Sequence, residues 1–423
     1  MGTSTVAHVE TSMVLNLSNQ ELIDLGLKHS IHTSERKSFR SCRLRWNWAY
    51  REYYYPKVTP QPLEFGVAYH AAMEKWYDPT IWAHPDHREI GSALAISVFN
   101  DTCRKQLERY KKLNGRPTPE VMKNYQERLD LGKKMIEYYT KKISPLLDTK
   151  FSPLGVEVPF EIELGFKCKC PKCLERYKEY VIKMDGVFAV VHERLWEESE
   201  GLPVTYGGRI DMVAVDDYGR IFIVDWKSTS RILDEGKQAT FLELDDQISS
   251  YCVALWKLGK PVAGFIYHEQ RKAVPEPPQE LLRMNKGRRF SVSQNANTDY
   301  QTFKAHIFEH DRDALEQGFY SDYLDWLRNE GPRFYQRHQI HRTEAQMQNL
   351  FDDMVAEAKD ILEDPRIYPQ PGRFSCTSCL YRQPCIGRSM NEDYYYTLNS
   401  MFDRREKHYY EETEDGDKKR ENR

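Results

Sequence analysis

The stretch GGRIDMVAVDDYGRIFIVDWKST, residues 207–229, decides the fold. It contains two apolar segments rich in β-branched residues, separated by a polar turn sequence at residues 217–220, which is typical of paired antiparallel strands. Side chains alternate between the two faces of a strand, so Asp225 and Lys227 are predicted to point the same way. The stretch therefore predicts a hairpin that carries an acidic and a basic side chain on one face.

Asp211 lies on the first strand of this hairpin, and strand pairing can bring it close to Asp225 and Lys227 at a sheet edge. Mg²⁺ and Mn²⁺ require such oxygen ligands, and either ion can activate water and neutralise charge on a phosphate. Lys227 can then orient the water or stabilise the transition state. The alternative is a surface hairpin with solvated side chains. The apolar run IFIVDWK, residues 221–227, argues against it, because a buried strand rarely carries unpaired charge.

Two helical segments add polar residues to this set. Gly66, His70 and Glu74 recur at four-residue steps and so share one helix face, and a neutral histidine is a common metal ligand. Gln247 and Tyr251 lie one turn apart on a second predicted helix and can together contact a phosphate or a base. In the alternative interpretation, the histidine has no role, the tyrosine belongs to the core and the glutamine lies at its rim.

The motifs follow one another as LEFGVAYHAAME (63–74), GGRID (207–211), IVDWKST (223–229) and QISSY (247–251). In this order they resemble the RecB-like branch of the PD-(D/E)XK nucleases, although Ile210 precedes the first carboxylate where the family pattern has proline. The resemblance implies metal binding by His70, Asp211, Asp225 and the backbone carbonyl of Trp226, a catalytic role for Lys227, and an accessory motif of Gln247 and Tyr251.

Nine cysteines in a reducing compartment indicate metal binding rather than disulfides. Cys376, Cys379 and Cys385 are clustered, and Cys42 stands far upstream; these four form what we call the cysteine clasp. Zinc is one candidate for four thiolates. The spacing favours a [4Fe–4S] cluster, because it resembles the iron–sulfur nucleases of the CRISPR-associated exonuclease family and of bacterial helicase–nuclease complexes. That resemblance implies a structural cluster and leaves a helicase or recombination partner open.

A second cysteine group lies in the segment CKCPKC, where Cys168, Cys170 and Cys173 predict a separate zinc site within a small insertion. The fourth ligand is open: a histidine such as His192, a water molecule, or none. The alternative is a reduced loop without metal. Cys103 and Cys252 are interpreted as ordinary buried thiols; together the two make up the remaining cysteines.

The remaining pattern predicts an α/β protein with a central mixed sheet flanked by helices, a helical N-terminal part and a C-terminal iron–sulfur clasp. One nuclease domain is expected over residues 34–390, after a flexible lead-in (1–33) and before a charged tail (391–423). Within the domain we expect a helical part (34–150), a sheet core (151–285) with the cysteine-rich insertion near 166–180, a loop and helices (286–365), and the clasp (366–390).

The formal net charge is −3, so any nucleic-acid site must be a local basic patch. Lys286, Arg288 and Arg289, in a predicted polar loop, are candidate DNA-backbone ligands, and a solvated loop is the alternative. No apolar stretch predicts a membrane span, and the N-terminus lacks the features of a secretory signal, so a cytoplasmic protein is expected.

Together these features predict metal-dependent hydrolysis of DNA, and the family resemblance implies exonuclease action on single-stranded ends in repair, recombination or replication. A structure-specific endonuclease is one alternative. A DNA-end-binding subunit without catalysis is another, although the presence of Asp211, Asp225 and Lys227 argues against it.

Overall fold

The structure is a computed structural model that describes residues 17–57, 61–185, 190–233, 239–363 and 365–404. Its strands are β1 (His29–His32), β2 (Tyr54–Pro56), β3 (Phe151–Cys168), β4 (Leu202–Asp216), β5 (Ile221–Thr229), β6 (Val262–Arg271), β7 (Glu280–Asn285), β8 (Arg288–Phe290), β9 (Tyr335–Ile340) and β10 (Phe402–Arg404).

Helices account for most of the remaining described chain, and none of them is long and apolar enough to cross a membrane. They are α1 (Asn19–Asp24), α2 (Thr33–Ser41), α3 (Arg43–Trp46), α4 (Gln61–Trp76), α5 (Pro79–Trp82), α6 (His87–Asn114), α7 (Pro119–Tyr138), α8 (Ser144–Leu147), α9 (Pro171–Asp185), α10 (Val190–Glu198), α11 (Asp246–Lys257), α12 (Tyr300–His310), α13 (Arg312–Glu316), α14 (Ser321–Asn329), α15 (Glu344–Leu362), α16 (Arg373–Thr377), α17 (Arg382–Ser389) and α18 (Tyr394–Met401).

The central sheet is mixed, with the strand order β1-β4-β5-β6-β9 and with β3 also paired to β4. The β1–β4 and β5–β6 pairs are parallel, whereas β3–β4, β4–β5 and β6–β9 are antiparallel. The predicted hairpin of residues 207–229 supplies the β4–β5 pair. This architecture confirms the predicted α/β fold with a central mixed sheet flanked by helices.

Two apolar cores lie on the two faces of the sheet. On one face α11 and α15 pack over the strands, and on the other face α4, α6 and α7 do so. Alternation along β5 divides its side chains between these cores: Ile223 enters the first core, while Val224 and Trp226 enter the second. The indole of Trp226 is 1% exposed and stacks on Tyr77 at 5.3 Å. Burial of such a ring contributes about 3–5 kcal/mol, which fixes the strand that carries the acidic and basic pair.

Local sequence signals determine where α4 ends and where α11 begins and ends. Pro79 begins α5 directly after Asp78, whose carboxylate accepts from the Thr80 N–H, so the preceding helix α4 ends as predicted. Helix α11 begins after Asp245, whose carboxylate accepts hydrogen bonds from its first turn. It ends at Lys257, two residues before Gly259, which has a φ of 72°.

Three predicted boundaries need correction. The lead-in was expected to be flexible through residue 33, but α1 and β1 are formed, because β1 adds a parallel strand to the sheet. The tail was expected from residue 391, but α18 and β10 are formed, and β10 pairs with β2. Residues 1–16 and 405–423 lie outside the described residues.

The third correction concerns the basic loop. Strands β7 and β8 form a hairpin, which we call the basic hairpin (Glu280–Phe290). Its two central residues, Lys286 and Gly287, both have positive φ values, 50° and 75°, as a two-residue type I′ turn requires. A lysine in the left-handed region is uncommon, so the turn gave no clear sequence signal.

Candidate active site

An open stretch on one edge of β4 provides the place for the site. Tyr206 pairs with β1 and β3 at once, and Met212 pairs with β3 and β5 at once. Strands β1 and β5 therefore share one edge of β4, and residues 208–211 lie between them without a described strand partner on that edge. Asp211 stands at the end of this gap, where its Oδ2 accepts a hydrogen bond of 3.2 Å from the Trp226 N–H.

Asp225 and Lys227 form a buried ion pair beside this gap. The lysine Nζ lies 2.9 Å from Asp225 Oδ1 and 2.7 Å from Oδ2, so the ammonium faces both carboxylate oxygens. Asp225 is 1% exposed, whereas the Lys227 side chain is 34% exposed. The pair therefore lies at the boundary of the core, where the carboxylate is buried and the lysine side chain is partly exposed.

His70 reaches the same place from the other side of the sheet. Its Nδ1 lies 3.3 Å from Asp211 Oδ2, because the helix that carries the histidine, α4, packs against β4 and β5. One imidazole and two carboxylates therefore converge near the backbone of Trp226. This donor set fits a hard divalent cation with one additional nitrogen ligand.

The four side chains alter one another's proton affinity. Burial raises the pKa of Asp225 to about 6, although Lys227 opposes the rise. Burial alone would raise the pKa of Asp211, but the hydrogen bond and charge of His70 hold it below its ordinary value. For both His70 and Lys227, burial would lower the pKa, yet the neighbouring carboxylates raise it. The two carboxylates therefore favour the protonated forms of His70 and Lys227.

Gln247 and Tyr251 project together from α11, as their spacing predicts. The Gln247 side-chain amide donates to the Tyr251 hydroxyl at 3.1 Å and to Asp225 Oδ1 at 3.5 Å. Lys37, on α2, donates to the Gln247 carbonyl oxygen at 3.2 Å and completes this polar chain. The sequence places Lys37 in a run of basic residues, but nothing in that run indicates its position beside the site. Its neighbour Arg36 is 0% exposed and pairs with acidic side chains.

Glu157 is a further candidate site residue, which the sequence analysis missed. It lies between Val156 and Val158, which pair with Met212 and Ile210, so its register position is opposite Asp211. Burial raises the pKa of Glu157 to about 7, with a further contribution from the charge of Asp211. The strand holds several glutamates, and only the pairing register shows which of them approaches the site.

The cysteine clasp closes around a cavity of about 350 Å³ whose lining includes Cys42, Cys376, Cys379 and Cys385. Backbone N–H groups point at two of the sulfurs. The Gln370 nitrogen lies 3.5 Å from Cys42 Sγ, and the Gly372 nitrogen lies 3.3 Å from Cys376 Sγ. Such donors stabilise thiolates bound to metal. The structure therefore brings the upstream cysteine and the three downstream cysteines to one place.

The other predicted sites lie on separate elements. Cys168, Cys170 and Cys173 gather around His29, and His192 does not belong to that group of ligand atoms. In the basic hairpin, Arg289 pairs with Glu280 at 2.7 Å, which leaves less of its charge for a ligand, and Lys286 is exposed at the turn.

Comparison with known proteins identifies the family. The profile of the PD-(D/E)XK nuclease superfamily matches residues 33–386, which include the whole constellation of His70, Asp211, Asp225 and Lys227. A search of curated proteins found no significant match. Members of the superfamily are hydrolases of the nuclease type that use divalent metal ions. Since the match covers most of its length, the chain belongs to the PD-(D/E)XK nuclease superfamily.

Proposed function

We propose that the protein is a metal-dependent deoxyribonuclease that degrades DNA from single-stranded ends. The observation that carries the proposal is the convergence of His70, Asp211, Asp225 and Lys227 at the open edge of β4. An isolated acidic and basic pair on a strand has no need of a histidine from a distant helix, whereas a metal-dependent hydrolase uses all four groups.

The residues have distinct roles in this proposal. His70, Asp211, Asp225 and the carbonyl of Trp226 would hold Mg²⁺ or Mn²⁺, which when bound supplies Lewis acidity toward a phosphate and its attacking water. The ammonium of Lys227 lies beside Asp225 on a partly exposed side chain, so it can donate to that water or to a phosphate oxygen.

The accessory residues hold the Asp225 carboxylate in one orientation. Gln247 shares its amide between Asp225 and the Tyr251 hydroxyl, so it restrains the buried carboxylate. Lys37 fixes the same amide from its other end, because the Gln247 carbonyl oxygen accepts from Nζ. A rigid carboxylate contributes to catalysis because its orientation does not have to be restored at each turnover.

We propose that the cysteine clasp binds a [4Fe–4S] cluster with a structural role. Its four sulfurs surround one cavity, and two of them receive backbone N–H groups. Four thiols around one cavity suit a cuboidal cluster, whose four thiolates bind four different irons.

DNA as the substrate and exonuclease action follow from the resemblance to iron–sulfur nucleases of the RecB-like branch. The same resemblance makes a helicase or recombination protein the partner to seek, in DNA repair, recombination or replication. The basic hairpin would contact the DNA backbone, with Lys286 and Arg288 as its main ligands, since Arg289 is paired with Glu280.

The test is digestion of end-labelled linear single strands, linear duplexes and circular single strands with Mg²⁺ or Mn²⁺, with RNA as a parallel substrate and Lys227→Ala as the control. We expect the linear single strand to be shortened from an end and the circle to survive. Cleavage of the circle would assign an endonuclease. Tight binding of linear ends by the parent without cleavage at any metal concentration would assign a non-catalytic end-binding protein and overturn the proposal.

A further inference from the structure

A second group of metal-ligating side chains lies away from the active site, where the insertion meets the edge of the sheet. His29 Nδ1 lies 3.4 Å from both Cys170 Sγ and Cys173 Sγ, and these two sulfurs are 3.6 Å apart. Cys168 completes the group, and all four ligand atoms lie within 4.8 Å of one another. The sequence predicted a zinc site on the three cysteines. The histidine was not predicted, because it lies far from them in the sequence, on β1.

These separations match tetrahedral zinc. Bonds of about 2.3 Å to sulfur and about 2.0 Å to nitrogen place two sulfurs about 3.8 Å apart and a sulfur and a nitrogen about 3.5 Å apart. The observed distances between Cys170, Cys173 and His29 fall close to these values. We propose that the histidine and the three cysteines bind one structural zinc ion that anchors β1 to the sheet.

Burial and charge support a closed site. Cys173 is 0% exposed, His29 is 6% exposed and Cys168 is 7% exposed, while Cys170 is partly buried, so the group is largely shielded from solvent. Three protein thiolates and one zinc ion leave a net negative charge. The buried guanidinium of Arg176 interacts electrostatically with Cys173 and Cys170 and offsets that charge, while it donates to the Lys28 carbonyl next to the histidine.

The role of the zinc follows from the short pairing of β1 and from the helix that follows this strand. This strand pairs with β4 over only four residues, from His29 opposite Val204 to His32 opposite Gly207. Its end leads directly into α2, which brings Lys37 to Gln247 at the active site. A short edge strand has few ladder bonds of its own, and metal binding at its first residue contributes directly to its folding free energy. The zinc therefore positions the helix beside the catalytic residues.

The experiment measures metals in the full-length protein and does not depend on nuclease activity. Protein purified without chelators should contain about one zinc per chain, as one four-ligand site requires, in addition to iron. His29→Ala and Cys173→Ser should lose the zinc and keep the iron. The matched control, Cys103→Ala, removes a buried thiol elsewhere and should keep both metals. Parent protein without zinc, or zinc that survives in both ligand variants, would overturn the proposal.

Two measurements on the parent protein keep the test valid if a ligand variant fails to fold. Cobalt(II) replacing the zinc should give the visible bands of a tetrahedral thiolate site; an octahedral spectrum would refute the ligand set. Removal of the zinc should accelerate amide hydrogen exchange at residues 29–32 and leave β5 and β6 unchanged. Unchanged exchange at residues 29–32 would refute the anchoring role.

Discussion

Replacing Lys227 by alanine separates its structural and catalytic contributions. The substitution leaves the Asp225 carboxylate, which is 1% exposed, without the ammonium that contacts both of its oxygens. Loss of one partner of a buried ion pair costs about 3–5 kcal/mol. Because 34% of the lysine side chain is exposed and the carboxylate can take up a proton, we expect the free energy of unfolding to fall by about 2–3 kcal/mol.

The matched variant is Asp225→Asn, which keeps the shape of the side chain and removes its charge. The Lys227 ammonium then turns to solvent, through the exposed third of its side chain, so we expect a change in unfolding free energy of about 1 kcal/mol or less. Lys227→Ala should therefore be the less stable of the two in the absence of divalent metal. Urea unfolding followed by circular dichroism in EDTA measures this order.

Both variants should lose cleavage, in spite of their different stabilities. Removal of one hydrogen-bond donor directed at developing charge lowers kcat by about 10²–10³-fold. Initial rates on end-labelled single-stranded DNA, at saturating Mg²⁺ and below the unfolding temperature of either variant, measure the loss. A Lys227→Ala protein that cleaves within about ten-fold of the parent rate would refute the assignment of Lys227 as the catalytic lysine. Equal stability of the two variants would refute the buried-pair argument.

Four further predictions follow from particular side chains. Glu157→Gln should lower the cleavage rate about 10–100-fold, as loss of a group that supports metal ligands does, with the deficit reduced at high Mn²⁺. Anaerobically purified protein should be brown and contain about four irons per chain, and Cys379→Ser should lose them. Neutralising the basic residues of the basic hairpin should lower the slope of log affinity against log salt by about 0.7 per lost contact with single-stranded DNA. Burial, together with the nearby charge of Arg337, holds the pKa of His268 well below its ordinary value, so acid should destabilise the fold.

The sign of the last effect follows from proton linkage. The unfolded chain takes up a proton at His268 below pH about 6.5, whereas the folded chain does not. Stability attributable to this residue is therefore complete above that pH and falls below it, by up to about 1.4 kcal/mol per pH unit. His268→Gln should remove this part of the slope between pH 7 and 5.

For each of these predictions, one result would contradict it. An unchanged rate for Glu157→Gln would remove that residue from the site. Zinc as the sole metal in colourless protein would assign the clasp to zinc. An unchanged salt slope would make the basic hairpin a solvated loop, and parallel pH profiles of parent and His268→Gln would exclude this histidine as the titrating group.

The parts of the fold that could be predicted from sequence are those encoded locally. The two apolar segments on either side of the polar turn at residues 217–220 indicate the β4–β5 hairpin, and Asp78-Pro79 marks the end of α4. Because Asp225 and Lys227 are two residues apart on one strand, their proximity needs no knowledge of the rest of the molecule. The same holds for Gln247 and Tyr251, one helical turn apart on α11.

The missed residues depend on long-range pairing. Glu157 is opposite Asp211 only because of the β3–β4 register, which shifts between Pro153 and Gly155 and so cannot be read from the alternation of β3 alone. His29 approaches the cysteine group because β1 pairs in parallel with a strand much later in the chain. Such pairings bring together residues that have no periodic relation to one another in the sequence.

Residues 29–42 connect the three sites of the protein. They begin at His29 in the proposed zinc site, continue through Lys37 beside Gln247 and end at Cys42 in the cysteine clasp. With the proposed zinc ion at one end and the proposed cluster at the other, a segment this short would have little freedom to move its middle. The two proposed metal centres would then determine the position of Lys37 without taking part in the chemistry. Loss of either metal would release one end of the segment and weaken the restraint on Gln247, and through it on Asp225, without any change in the catalytic residues themselves.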